Sequence, residues 1–253
     1  MSQALSYTND LADLLAEIAP AGEVISLSTV PGTFKPWANG REAEMAANMV
    51  ASAAHFAKLR SRTGVEVALA IEPEPFCFLE TIAEAVAFFR DHLFSDTSVK
   101  AMAAATGLST SEAAAALPRH LGLCYDVCHA AVEYEDAAAS LAALRSAGVP
   151  VHKLQLSAAL RIKPVDAEAR AALIRYDEGV YLHQTIAQNA GAADVVRYSD
   201  LGEPLARAAA ADGEEWRVHF HVPIFVEDLG AFGTTQGRPC ENSARVGEVS
   251  KFS

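Results

Sequence analysis

Basic residues are scarce in this chain. Lys and Arg number 20 against 32 Asp and Glu, a formal charge of -12 at pH 7, and no basic run interrupts it. A field of that sign repels phosphate backbones and anionic headgroups, so nucleic acid is not an expected partner. Long apolar runs are also missing. Nothing approaches the roughly 18 consecutive apolar residues that a membrane span needs. The opening segment MSQALSYTND has no basic stretch leading into an apolar one, so no secretory leader is expected. Cysteine is sparse: Cys77, Cys124, Cys128 and Cys240 form no CxxC pair and read as buried thiols of a reducing compartment, with no structural disulfide. These absences together predict a cytoplasmic protein.

What is present is globular. Hydrophobic residues make up 51% of the 253 positions and charged residues only 21%, enough for one large α/β domain or two small ones. Apolar runs of strand length recur, separated by helical patterns. Strands are expected at 23–30, at 65–75 with pairing that ends near Glu72 because Pro73 and Pro75 lack the ladder donor, at 121–128, at 151–157 and at 216–225. Helices are expected at 11–18, 39–62, 78–94, in two pieces over 97–117, and at 134–146. Residues 158–215 read as an excursion with a short helix at 166–175, a hairpin of 180–186 with 195–198, and a helix at 205–211. The residues from Thr234 onward show no period and read as a mobile tail.

Strand and helix in alternation argue for a parallel sheet with helices outside, because parallel neighbours need crossovers. The fold class expected is therefore α/β, of the (β/α)8 TIM-barrel type. A doubly wound sheet is the alternative, although the VPGTFK that follows the first strand is not a Gly-rich phosphate loop. In a barrel, chemistry gathers at the C-terminal ends of the strands. There the sequence places Ser28, Glu72, Asp126 with His129 in a D-x-x-H spacing, Gln155, and His219 with His221 on one strand face. Two buried carboxylates without a counter-charge cost several kcal/mol each, and a divalent cation removes that cost. The expected ligands are Glu72, Asp126, His129, Gln155 and His221, with Mg, Mn or Zn as the ion. Glu72, Asp126, His129 and His221 would also carry the proton transfer, while Ser28, Lys153 and His219 would meet a small substrate. Lys35 is a further candidate for a phosphate or carboxylate. Each has a bland alternative: a loop hydrogen bond for Asp126, a core histidine, a solvated lysine.

Five segments taken in order, SLSTVP (26–31), IEPEPF (71–76), CYDVCH (124–129), KLQLS (153–157) and VHFHVPIF (218–225) followed by Glu227, resemble the xylose-isomerase-like TIM barrels, and more closely the metabolite traffic protein EboE family. The resemblance covers about residues 7–235. It implies that Glu72 and Asp126 are metal-ligand acids and that His129 is the D-x-x-H histidine. It also implies a role in binding or processing a small organic metabolite, alongside proteins encoded by neighbouring pathway genes. A metal-dependent sugar or sugar-phosphate isomerase or epimerase is the alternative, and an endonuclease IV-like phosphodiesterase a third that the acidic balance opposes. Only five core strands are legible, three short of a closed barrel, and the acid-bearing final strand of the family has no counterpart. The expectation is therefore an incomplete barrel over residues 1–233 with a tail at 234–253, through a misplaced start, a frameshifted end or a true truncation.

Overall fold

The computed structural model describes residues 3–38, 40–192, 194–207 and 213–237. Its contacts divide the chain into two units: residues 1–126 with 135–155, and residues 127–134 with 156–253.

Unit 1 is built on four parallel strands in the order β1 (Val24–Thr29), β2 (Glu66–Ile71), β3 (Leu121–Asp126) and β4 (Val151–Gln155). The helices are α1 (Gln3–Ile18), α2 (Glu42–Thr63), α3 (Ile82–Phe88), α4 (Asp96–Thr106), α5 (Thr110–His120) and, after α6 (Val127–Val132) of unit 2, α7 (Ala137–Ser146). α2 turns Met49, Val50, Phe56 and Leu59 into the core and ends where Gly64, in the left-handed region at φ 76°, returns its N–H to Arg60 O. β2 stops at Ile71, just before the prolines, and Glu72 N–H still donates to Thr29 O at 3.0 Å. β3 is buried along its whole length. Gly122 is required there: a Cβ would lie 2.2 Å from His152 Cδ2 and 2.6 Å from Pro150 O.

The sheet curls. Laid flat, β1 and β4 would stand about 14 Å apart, three strand spacings, farther than a lysine extends. Yet Lys153 Nζ on β4 donates to Ser28 Oγ on β1.

Unit 2 is built on an antiparallel sheet in the order β7 (Val195–Tyr198), β6 (Thr185–Gln188), β8 (Glu215–Pro223), β5 (Ser157–Ile162) and β9 (Gly233–Thr234). α6 (Val127–Val132), packed on β5 and β8, α8 (Ala167–Leu173) and α9 (Gly202–Leu205) complete it. β8 has two characters. Trp216 and Val218 are buried with Leu160, Ile162 and Leu173, and Phe220 and Val222 pack against that cluster. Each fully buried side chain of this kind contributes roughly 1.5–3 kcal/mol. The alternate positions are Glu215, Arg217, His219 and His221.

Several expectations are corrected here. The strand at 216–225 is not a fifth parallel strand: β8 runs antiparallel between β5 and β6, because alternation fixes a strand's faces but not its partners' direction. The strand at 151–157 is two. β4 ends at Gln155, Leu156 is 56% exposed, and β5 enters the other sheet from Ser157. The Ala158–Ala159 start of β5 has weak strand propensity, which hid it. β3 ends at Asp126 and Val127 begins a helix, whose Cys128 and Val132 are buried. The first helix, expected at 11–18, starts at Gln3. The helix expected at 78–94 starts at Ile82, behind a Thr81–Glu84 capping box, and passes into a π-turn over Phe89–Leu93. Of the expected 205–211 helix only the approach is seen, in α9; residues 208–212, like 238–253 of the expected tail and Cys240 with them, lie outside the described residues.

Candidate functional site

Each unit presents one group of polar side chains at strand ends. In unit 1, Glu72 follows β2, Asp126 ends β3 and Gln155 ends β4. The three are joined because Gln155 Nε2 donates to Glu72 Oε1 at 2.5 Å and to Asp126 Oδ2 at 2.7 Å. Asp126 is only 3% exposed. The expected trio is thus brought together, with the amide nitrogen rather than the carbonyl oxygen of Gln155 turned to the acids. A cation between them would require the amide to rotate so that Oε1 takes that place. Beside them on β3, burial pushes the Cys124 thiol well up, and the nearby Glu72 and Asp126 add to it.

Ser28 and Lys153, expected to meet substrate, are bonded to each other. Lys35 is engaged by acids. Its Nζ lies 2.5 Å from Glu80 Oε2 and 2.6 Å from Glu84 Oε1. Burial works to lower its pKa, but the two carboxylates outweigh that and hold the ammonium above its ordinary value. It offers little to an incoming anion.

In unit 2 the expected histidines meet. α6 supplies His129 and β8 supplies His219 and His221. His129 Nε2 and His221 Nε2 each lie 3.0 Å from His219 Nε2. The rings stand nearly edge to face, with centroids 4.6 Å apart for His129 and His219 and 5.0 Å for His219 and His221. β8 puts its two imidazoles on one side because strand side chains repeat every second residue.

The far nitrogens are held. His219 Nδ1 lies 2.7 Å from Gln184 Oε1, and His221 Nδ1 lies 2.8 Å from Ser157 Oγ. An amide oxygen only accepts, so Nδ1 of His219 carries the proton and its Nε2 presents a lone pair. Burial, then the neighbouring His129, His221 and His183, hold the His219 pKa well below 6.5, so its ring is neutral at pH 7. One lone pair cannot accept two good N–H···N bonds, and two ring nitrogens crowd it. Two imidazole nitrogens on a tetrahedral zinc stand about 3.3 Å apart, from Zn–N distances near 2.05 Å. The 3.0 Å separations of the ring nitrogens are therefore close to that spacing. His219 and His221 have the donor chemistry to hold a divalent cation.

Sequence reasoning missed three members. Gln184 sits just before β6, 35 positions from the ring it orients. Cys128 is fully buried on α6, with its thiol donating to Phe220 O on β8 at 3.3 Å. His183 stacks on Phe220 at 3.9 Å between centroids. The break at Leu156 places Ser157 on β5, where its hydroxyl meets His221.

Among the described residues no helix is long and apolar enough to cross a membrane. No family model matches this chain, and no curated protein matches it.

Proposed function

We propose that this chain binds a divalent cation through His219 and His221 of unit 2 and acts on, or carries, a small hydroxy-carbonyl metabolite. In this reading it is a xylose-isomerase-like barrel protein of the EboE metabolite-traffic type. The observation that carries it is the orientation of His219 and His221. Each has its Nδ1 tied to an oxygen, Gln184 Oε1 and Ser157 Oγ, while the Nε2 atoms converge. Metal-ligating histidines have this arrangement, in which the second nitrogen is fixed by a hydrogen bond that sets tautomer and ring direction. The curled parallel sheet of unit 1, with Glu72, Asp126 and Gln155 at its strand ends, supports the barrel assignment, since active-site groups of (β/α)8 proteins sit at that edge.

A bound cation would polarise a carbonyl and ease loss of a proton from the neighbouring carbon. The chain's own residues supply the rest. Gln184 fixes the tautomer and aim of His219, and Ser157 steadies the exposed His221.

A second reading, isomerisation or epimerisation of a sugar or sugar phosphate, draws on that Ser157–His221 bond. An exposed imidazole hydrogen-bonded to a hydroxyl can accept and return a proton.

Elemental analysis of purified protein tests the proposal, run beside a His219→Ala variant. Near-stoichiometric metal is expected in the wild type and is expected to be lost in the variant. Folded wild-type protein without metal, and unable to take it up, would overturn the proposal. Turnover of a hydroxy-carbonyl substrate that stops on chelation would separate the enzyme from the carrier.

A further inference from the structure

Resting on the reading that the imidazole cluster holds a cation, we infer that Cys128 is its thiolate ligand, in a Cys128–His219–His221 site that selects zinc-class ions over magnesium or manganese. The Sγ of Cys128 and one ring nitrogen from each of the two histidines all lie within 4.8 Å of one another. All three residues belong to unit 2. α6 carries the cysteine and packs on β5 and β8, and β8 carries both histidines. The contact of Cys128 Sγ with Phe220 O fixes the sulfur against β8 at the residue between them.

The donor set decides the ion. A thiolate and two neutral imidazoles are soft and borderline ligands suited to zinc and cobalt, whereas magnesium and manganese favour oxygen. The expectation of Mg, Mn or Zn narrows accordingly. The charge balances as well. When the ion binds, the Cys128 S–H bond breaks, its proton leaves to water, and the sulfur's electron pair forms the bond to the metal, with no change of oxidation state. One thiolate against a dication leaves a net charge of +1. That favours a water or an anionic substrate oxygen in the fourth position, the plan of catalytic zinc sites with three protein ligands. Ligation requires the three donors to close from within 4.8 Å to about 3.3–3.7 Å. A turn of the Cys128 and His221 side chains supplies that movement, and His221 is exposed and able to make it.

The test is cobalt(II) titration of the metal-free full chain, followed by absorption. A thiolate-to-cobalt charge-transfer band in the near ultraviolet is expected beside the visible bands of a tetrahedral site. The band should persist in Cys77→Ser, Cys124→Ser and Cys240→Ser and vanish in Cys128→Ser. Because second-shell changes already weaken metal affinity 10–100-fold, loss of this ligand should weaken zinc binding at least ~100-fold. X-ray absorption of zinc-loaded wild-type protein needs no variant and should show a sulfur shell at about 2.3 Å. Visible cobalt bands without the charge-transfer band, or a zinc spectrum with nitrogen and oxygen neighbours only, would overturn the role of Cys128 and leave the imidazole site standing. No cobalt or zinc uptake at all would overturn both.

Discussion

Replacing Glu215 by Gln should change how the fold responds to acid. Glu215 opens β8, 4% exposed, and its carboxylate takes Arg161 Nη2 at 2.9 Å, Lys163 Nζ at 3.2 Å and Arg217 Nε at 3.0 Å. Burial pushes its pKa up, but the hydrogen bonds and charges of Arg161 and Arg217 outweigh this and bring it from 4.5 down to about 2. That displacement is worth about 3 kcal/mol. Because the folded value lies below the unfolded one, the contribution is complete above pH 4.5 and is lost as pH falls toward 2. Urea denaturation of wild type and Glu215→Gln, repeated between pH 7 and pH 2.5, reads the difference directly. At pH 7 the variant should be less stable by about 3–5 kcal/mol, since it leaves Arg161 and Arg217 beside a group without charge. The gap should narrow by up to ~3 kcal/mol across the acid limb. A gap that stays constant with pH, or that is near zero at pH 7, would refute the claim that Arg161 and Arg217 hold the Glu215 carboxylate ionised in the folded chain.

Other changes have definite outcomes. Gly122→Ala drives a methyl into Pro150 O and the His152 ring; since the backbone carbonyl cannot turn away, a loss of about 2–4 kcal/mol is expected in thermal or urea unfolding. Thr81→Ala removes the capping box of α3, in which Thr81 Oγ1 accepts from Glu84 N–H; the expected cost by the same assay is about 1 kcal/mol. Gln184→Leu frees the His219 ring to change tautomer; zinc affinity measured by competition with a chromophoric chelator should fall about 10–100-fold, beside a stability loss of about 1–3 kcal/mol for the buried N–H that loses its acceptor.

The sequence made the polar ends of unit 1 legible because each is local. Pro73 and Pro75 mark where β2 stops and so where Glu72 falls, and the apolar run before Asp126 places that acid at the end of β3. The alternation in β8 likewise put His219 and His221 on one face. What stayed hidden depends on pairing at a distance. The direction of β8 is set by β5 and β6, neither of which announces itself by strong periodicity. Gln184 and Cys128 gain meaning only when β6 and α6 lie against β8. A lone Gln before a strand and a Cys on a short helix carry no spacing signal toward a histidine 35 or 91 positions away. The break at Leu156 was masked for a related reason: one apolar residue flanked by polar ones continues a strand pattern as readily as it ends one.

The central claim is that the converging Nε2 atoms of unit 2 hold a cation. Calorimetric titration of zinc into metal-free protein, beside the same titration of His219→Ala, tests it most directly. The account predicts one equivalent bound by the wild type and affinity reduced at least ~100-fold in a variant that remains folded. Zinc that fails to bind folded wild-type protein, or binds His219→Ala equally well, would contradict it.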